Sequence, residues 1–513
     1  MNFYLSRWIF IRGLCLVYLT AFLSASHQMM GLYGQDGILP ISEYIKQISA
    51  EGQPALVNFL SAPTVFWIDQ QDMVLLVIPI VGVVASLLAL VGILTGEYLF
   101  MCWFLYLSIV NVGQDFMSFQ WDILLLETGF LALFFTTWRP LEAGWRRHLR
   151  LRLPSWCFEQ EKNPMVVLWL YRWLLFRLMF SSGVVKLASG DPTWHNLTAL
   201  CYHYETQPLP TPLAWFCDQA PREVHVFGAI IMFVIELVVP FSVFLSTRPR
   251  HLGAIIMIAF QVAIMLTGNY CYFNWLTILL CILLFDDGFV DAQLGATFSN
   301  WLAPLASLRE PGKIAKFIVA PASALIVFVS SFYFMQSVMD YRGLPPQLLV
   351  PIVALTPWHI SSSYGLFAVM TTTRPEIEIE GSEDGKNWKT YEFKYKVGPC
   401  NRIPPTVAPV QPRLDWQMWF QALSPSRLSQ NSWFVRFLRR LLDGSPSVTA
   451  LLEKNPFPDP SHQPKFLRAN FYNYEFTQWP ALSSEGLWWK RTLMGEYLTL
   501  KREDTKESGV NNR

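Results

Sequence analysis

The sequence predicts a polytopic α-helical membrane bundle of about nine spans, followed by a smaller α+β domain on the extracytoplasmic side. Three observations lead to this fold class. Long apolar stretches recur between Trp8 and Phe334, and hydrophobic residues make up 52% of the chain against 15% charged residues. After Met335 the pattern changes to alternating polar and apolar residues. About 20 apolar residues can span the hydrocarbon core, because helical hydrogen bonding satisfies each backbone amide where water is absent.

The candidate spans fall in the first two thirds of the chain. They lie at residues 8–26, 73–95, 98–113, 122–138, 165–188, 224–247, 252–268, 271–286 and 314–337. Stretches 98–113 and 271–286 are shorter than a standard span. We therefore place the transmembrane domain at residues 1–337, with outer loops at 27–72 and 189–223.

Arginine-rich loops predict the orientation, because positive residues that flank a span tend to stay in the cytoplasm. One cluster lies between the fourth and fifth predicted spans and another between the sixth and seventh. They comprise Arg146, Arg147, His148, Arg150 and Arg152 in the first, and Arg248, Arg250 and His251 in the second. Both agree with a cytoplasmic N-terminus, which leaves residues 338–513 outside the cytoplasm.

The tail 338–513 has the sequence pattern of a small α+β domain. Residues 376–380 alternate between Glu and Ile, 381–385 are rich in turn formers, and 388–395 alternate again, which predicts a hairpin with one buried face and one wet face. Asp415 is expected to cap a helix that starts near Trp416. Residues 431–453 predict one or two amphipathic helices, and residues 466–476 predict another strand.

Charge and cysteine usage exclude several function classes. Lys+Arg 39 against Asp+Glu 38 gives a net charge of +1, so nucleic acid is not expected as a partner. Eight cysteines without a CxxC pair give no sign of a metal centre or cofactor. Cys201 and Cys217 share one predicted outer loop, where a disulfide between them is chemically permitted and is kept here as an expectation.

Among the ionisable residues of the predicted spans, four are candidates for a role, because a charge within the bilayer is costly. They are Asp122, Glu127, Arg177 and Glu236. We expect these four groups to form polar pairs within the membrane that hold the bundle together, Arg177 with Glu127 or Glu236, and we expect Asp122 also to cap its helix. The alternative is a functional role for these groups.

A second group of polar residues lies at the outer end of the fifth span and in the loop that follows. Lys186 is expected to reach the surface or to form a structural pair. Alternatively, burial makes it a base or a nucleophile. His203 and Glu205 lie two residues apart in a proline-bounded loop, where they serve either proton transfer or structure.

Several long strings carry a resemblance over almost the whole chain. They include GLYGQDGILP at 31–40, FQWDILLLETGFLA at 119–132, RWLLFRLMFSSGVVKLASGDPTW at 172–194 and PRLDWQMWF at 412–420. Here the sequence resembles the lipase maturation factor family. Animal members are endoplasmic reticulum membrane proteins that assist folding and assembly of secreted dimeric lipases. The resemblance implies a membrane-bound, non-enzymatic folding factor whose partners are membrane lipids and secreted clients, in particular lipases.

The resemblance leaves open which residues meet a client. We expect a groove lined by four aromatic residues, Trp388, Tyr391, Trp416 and Trp419, to bind apolar patches of partly folded proteins. The same aromatics alternatively fill the core of the tail domain.

A shorter likeness supports an enzymatic alternative. Gly183 to Leu187, followed by Asp191 and Trp194, is similar to a G-x-x-K-L motif with a downstream tryptophan in the transmembrane domain of vitamin K-dependent gamma-carboxylases. That likeness implies a membrane enzyme that uses Lys186 as a base on an extracytoplasmic substrate, with His203 or Glu205 assisting proton transfer.

Overall fold

The computed structural model describes residues 2–49, 52–141, 164–295, 313–339, 345–424 and 432–502. Within these residues, seven helices are long and apolar enough to cross a membrane. They are Tyr4–Ser26, Asp72–Leu90, Thr95–Val112, Met165–Ala188, Arg222–Phe244, Thr247–Thr267 and Phe317–Val338. The helix pair Phe273–Ile282 and Asp287–Leu294, bent by 108°, makes an eighth if it is counted as one span. The predicted cluster at 146–152 lies outside the described residues.

The fold class is confirmed, with seven or eight candidate spans in the described residues in place of about nine. The difference arises at the predicted span 122–138. The helix there is Gln120–Leu133, with 14 residues. At 1.5 Å per residue it is about 21 Å long, which is less than the roughly 30 Å of the hydrocarbon core.

Close approach between helices depends on small residues in their contact faces. A Cβ atom at Gly82 would lie 2.4 Å from the ring of Phe22, and one at Gly129 would lie 1.9 Å from the Tyr18 hydroxyl. The helix Tyr4–Ser26 therefore packs against its neighbours through large buried rings that fit over glycine. Leucine and aromatic side chains fill most of the remaining core.

Shorter helices gather at one end of the bundle. They are Met29–Tyr33, Ile41–Ile48, Ala55–Ser61, Pro192–His195, Leu200–Thr206 and Pro212–Asp218, with 3-10 turns at Val65–Trp67 and Gln114–Met117. At the opposite end, the Leu5 amide donates to Asp287 over 2.9 Å and Arg250 lies 3.7 Å from Asp286. The bundle therefore has one face of loops and short helices and one face of tight turns.

The tail forms an antiparallel sheet with helices around it. Its strands are β1 (Arg374–Ser382), β2 (Lys389–Thr390), β3 (Glu392–Phe393), β4 (Leu452–Lys454), β5 (Phe466–Phe476) and β6 (Trp489–Lys501). The main sheet has the order β2-β1-β5-β6, and β3 pairs with β4. The remaining elements are Pro346–Leu355, Thr356–Trp358, Arg413–Leu423, Trp433–Leu442, Pro446–Thr449 and Trp479–Glu485.

Three details of the tail differ from the prediction. The expected second arm of the hairpin is divided between β2, which pairs with β1, and β3, which pairs with β4. Asp415 lies in the first turn of its helix and is not the cap; its carboxylate accepts hydrogen bonds from the Tyr395 and Lys396 amides, each over 2.8 Å. Strand β6 was not predicted.

The predicted wet face of β1 is also covered. Ile377 and Ile379 are fully buried as expected, but Glu376 is only 1% exposed. Its carboxylate lies 2.9 Å from Arg374 and 2.9 Å from Lys396. Charge pairing thus replaces water on that face, because a buried carboxylate needs a partner.

Arg374 also attaches the tail domain to the segment 189–223. Its guanidinium donates to three backbone carbonyls, those of Glu205 at 2.6 Å, Gln207 at 2.5 Å and Pro208 at 2.9 Å. The side chain is fully buried, and the ring of Trp489 lies 5.1 Å from it. The tail therefore docks on the face of the bundle that carries the short helices.

We expect Arg374→Lys to destabilise the tail domain by roughly 3–5 kcal/mol, because one ammonium cannot replace a planar fork that reaches three carbonyls and a buried carboxylate. Denaturant unfolding followed by tryptophan fluorescence measures this free energy. Arg468→Lys is the matched control, since Arg468 pairs with Glu380 at a partly exposed site, and should change the free energy by less than about 1 kcal/mol. Equal effects of the two substitutions would contradict the role of Arg374.

Candidate functional site

A buried ion pair joins the membrane bundle to the tail domain at Asp122. Arg413 donates to both carboxylate oxygens of Asp122, over 2.8 and 2.9 Å. The hydroxyls of Tyr106 and Tyr272 donate to the same carboxylate over 2.5 and 2.9 Å. Asp122 is 0% exposed and Arg413 is 2% exposed. The expectation that Asp122 caps its helix is therefore wrong, because the N-cap is Phe119 and the carboxylate binds Arg413.

A second ion pair joins two helices of the bundle to the start of the tail domain. Arg177 binds Glu127, and both side chains are at most 2% exposed. The other oxygen of Glu127 accepts hydrogen bonds from the Tyr364 hydroxyl at 2.7 Å and the Ser362 amide at 3.2 Å. Arg177 in turn donates to the Ser362 carbonyl at 3.0 Å. Of the two carboxylates expected as partners of Arg177, the structure selects Glu127.

Glu236 pairs with Lys186. The Lys186 ammonium donates to both carboxylate oxygens of Glu236, at 2.8 and 3.0 Å, and to the Ser182 carbonyl at 3.0 Å. The ring of Trp194 lies 5.5 Å from the same nitrogen. An ammonium has three N–H donors, and here each has an acceptor. This is the geometry of a structural ion pair and not of a base with a free lone pair.

His203 lies near Lys186, but Glu205 does not. His203 and Lys186 line the same cavity, and the His203 Nε2 atom is 3.3 Å from the Tyr270 hydroxyl. Burial, and secondarily the charge of Lys186, lowers the pKa of His203 to about 4, so this imidazole is neutral at neutral pH. Glu205 instead accepts a hydrogen bond from the Phe476 amide at 2.7 Å, at the end of β5. The expected grouping of the three residues is therefore only partly present.

The cavity around Lys186 has a volume of about 470 Å³ and mostly apolar walls. We call it the Lys186 cavity. Its polar lining includes Lys186, His203, Glu236, Gln261, Tyr270 and Asn274. Part of the wall consists of side chains exposed at the bundle surface, Leu213, Ile231 and Leu266. The cavity therefore opens at the surface of the bundle.

A second cavity, of about 380 Å³, lies between the bundle and the tail domain. We call it the tryptophan cleft. Its walls include Phe119, Trp121, Val369, Trp416, Trp419 and Phe420. The indole N–H groups of Trp121 and Trp416 are buried and have no hydrogen-bond acceptor among the described residues. Tyr270, Phe273, Leu366 and Phe367 line both cavities, so the two cavities are neighbours.

The four aromatics expected to form a client groove do not come together. Trp416 and Trp419 line the tryptophan cleft, although they are only 4% and 9% exposed. Tyr391 is buried in the tail domain, with its ring 5.9 Å from that of Phe457. Trp388 is half-buried beneath the Arg468 guanidinium, 4.2 Å away. The four residues thus form no single groove: Tyr391 packs in a core, Trp388 packs against Arg468, and only Trp416 and Trp419 line the cleft.

The predicted disulfide is not formed. Cys201 and Cys217 are both free thiols. Cys217 lines the Lys186 cavity, whereas Cys201 does not, so the two side chains point to different surroundings. Burial raises the pKa of both thiols, which keeps them protonated. In the part of the chain that the structure describes, no group of His, Cys, Asp and Glu residues is arranged to hold a metal ion.

Arg413 and its tyrosine partners were missed at the level of sequence. Arg413 does occur in the string PRLDWQMWF, where a charge beside apolar aromatic residues is a sign of burial. Tyr106 and Tyr272 lie within apolar stretches, and no local pattern separates them from other core tyrosines. Asn274 and Gln261, which hydrogen-bond each other over 2.8 Å, were likewise not linked.

Comparison with known proteins supports one family. A profile of the lipase maturation factor transmembrane domain matches residues 5–292, and one of the lipase maturation factor C-terminal domain matches residues 360–499. Lipase maturation factor 2 of Homo sapiens is 33% identical over 96% of this chain and 82% of its own length. Lipase maturation factor 1 of Mus musculus is 32% identical over 99% of this chain and 89% of its own.

No solved structure matches the chain. The family assignment therefore depends on the sequence matches, which extend over both the bundle and the tail domain. The chain belongs to the lipase maturation factor family.

Proposed function

We propose that this protein is a membrane-bound maturation factor that assists the folding and assembly of exported proteins, lipases in particular. Its place is the endoplasmic reticulum membrane in a eukaryote or the inner membrane in a bacterium, with the tail domain on the extracytoplasmic side. Family membership supports the maturation role. The tryptophan cleft is the observation that supports a specific binding site for this role.

The cleft has the surface chemistry that a partly folded chain requires. Such a chain exposes apolar side chains and unpaired backbone carbonyls. The walls of the cleft are apolar, and two residues that line it, Trp121 and Trp416, carry buried indole N–H donors that have no acceptor among the described residues. An unfolded segment that places one side chain and one carbonyl in the cleft meets both needs without sequence specificity.

The mouth of the cleft is accessible. Val369 is 66% exposed and Phe420 is 42% exposed, and both line the cleft. The tail domain is held on the bundle by the ion pair of Arg413 with Asp122 and by the hydrogen bonds of Tyr364 and Ser362 to Glu127, so the cleft keeps a fixed position on the bundle. A chain that emerges from the membrane on this side reaches the cleft early in its folding.

The proposed topology can be tested with single cysteines. Ser484 is exposed in the tail domain and Arg248 is exposed at the opposite face of the bundle. In sealed vesicles of known orientation, an impermeant maleimide should modify Ser484→Cys from the extracytoplasmic side and Arg248→Cys from the cytoplasmic side. Labelling is measured by gel shift, and the labelling of the wild-type chain is subtracted. Labelling of Ser484→Cys from the cytoplasmic side only would contradict the proposal.

Substitution at the mouth of the cleft tests client binding. We expect Val369→Asp to lower the yield of active secreted lipase per lipase molecule by about tenfold, which corresponds to roughly 1.4 kcal/mol for a carboxylate beside an apolar ligand. The measurement is made in cells that lack the native protein and are complemented with the variant.

Leu493→Asp is the matched control, because Leu493 is 58% exposed on β6 and does not line the cleft. It should support the wild-type yield. Protein levels of both variants are compared by immunoblot, since loss of the maturation factor itself also lowers the yield. If Val369→Asp is abundant and behaves like Leu493→Asp, the cleft does not bind the client.

A further inference from the structure

One residue in the wall of the Lys186 cavity has a buried acceptor without a donor among the described residues. Asn274 is 2% exposed and lines the cavity. Its amide nitrogen donates to Gln261 over 2.8 Å, whereas its oxygen has no hydrogen-bond partner among the described residues. An unmet acceptor in an apolar site costs roughly 1–3 kcal/mol. A molecule that brings an O–H or N–H donor into the cavity would remove this penalty.

The charges of the cavity are already balanced. Lys186 and Glu236 neutralise each other through a bidentate contact. His203 is neutral at neutral pH, since burial and the charge of Lys186 lower its pKa to about 4. A ligand with a net charge would enter without a counter-ion, and desolvation makes that expensive. The cavity therefore suits an uncharged molecule.

The opening of the cavity faces the side of the bundle. Ile231 belongs to the span Arg222–Phe244, and Leu266 belongs to the span Thr247–Thr267. These two spans are among the least buried, with 28% and 33% of their apolar windows inside the protein. Exposed apolar residues on spanning helices contact acyl chains. A ligand thus enters from the bilayer and not from water.

We propose that the Lys186 cavity binds an uncharged membrane lipid with one acyl chain and a hydroxyl headgroup. The hydroxyl donates to the Asn274 oxygen, and the chain lies along the apolar wall. The volume of about 470 Å³ falls in the range of roughly 300–1,000 Å³ that is typical of small-molecule sites. The Lys186 cavity shares four lining residues with the tryptophan cleft, but Asn274 and the opening at Ile231 and Leu266 belong to the Lys186 cavity alone, so lipid binding there can be measured without a client.

The test uses the purified full-length protein in nanodiscs. The probe is a monoacylglycerol that carries a diazirine and an alkyne in its chain, and the comparison probe is its phosphate ester, which differs only by the charged group. The monoacylglycerol should label the helices that line the cavity. Labelling by the phosphate ester should be at least about fivefold weaker, because its charge has no partner there. Equal labelling by the two probes would overturn the proposal and indicate ordinary contact with bulk lipid.

Two variants of one exposed helix face provide the steric control. Ala263 is exposed and lines the cavity, whereas its neighbour Val262 is exposed and does not. Ala263→Trp should block the mouth and reduce monoacylglycerol labelling by at least about fivefold. Val262→Trp should leave the labelling unchanged. If Ala263→Trp labels like the wild type, the cavity is not the site.

Asn274→Leu tests the hydrogen bond. Loss of the acceptor should reduce monoacylglycerol labelling about fivefold, and it should not reduce labelling by a probe with the same chain and a methyl ether in place of each hydroxyl. Equal loss for both probes would exclude the Asn274 oxygen as the acceptor of the headgroup. If Asn274→Leu fails to fold, the comparison of Ala263→Trp with Val262→Trp still tests whether the lipid binds in the cavity.

Discussion

The position of the tail domain on the bundle depends on the ion pair between Asp122 and Arg413. The pair is bidentate, almost inaccessible to water, and closed by two tyrosine hydroxyls. Removal of one partner from such a pair costs roughly 3–5 kcal/mol, a large share of a stability of about 5–15 kcal/mol. Other contacts between the two parts support the same placement: the Tyr364 hydroxyl donates to the Glu127 carboxylate, and Arg374 donates to the Glu205 carbonyl.

Both cavities follow from that placement. Leu366 and Phe367 line both the Lys186 cavity and the tryptophan cleft. They lie two and three residues after Tyr364, whose hydroxyl donates to Glu127. A shift of the tail domain would therefore change the two cavities together. The same arrangement explains why the charged residues of the bundle are structural first: Asp122, Glu127 and Glu236 each hold a basic residue, and the cavities form in the apolar space between these pairs.

The sequence predicts what is local and misses what is distant. Strand β5 was predicted over residues 466–476, with the observed bounds, because this stretch is rich in aromatic residues and lies between turn-forming segments. Strand β6 was missed because its apolar and charged residues follow no strict period, and its 11 register partners on β5 define it instead. The pairing of Asp122 with Arg413 was missed because the two residues are 291 positions apart in the chain. Glu376 was assigned to a solvent-exposed face because Arg374 and Lys396 cover it only in the folded structure. The location of Trp416 could not be predicted, because an aromatic-rich stretch has the same sequence pattern in a core and in a cleft.

A double-mutant cycle at Asp122 and Arg413 tests this account most directly. The free energy of unfolding of the tail domain would be measured by denaturant titration for Asp122→Asn, Arg413→Gln and the double variant. We expect each single substitution to lower it by roughly 3–5 kcal/mol, and the double variant to be no less stable than either single one, which corresponds to a coupling of at least about 3 kcal/mol. Additive effects, with a coupling below about 0.5 kcal/mol, would show that the pair does not hold the two parts together.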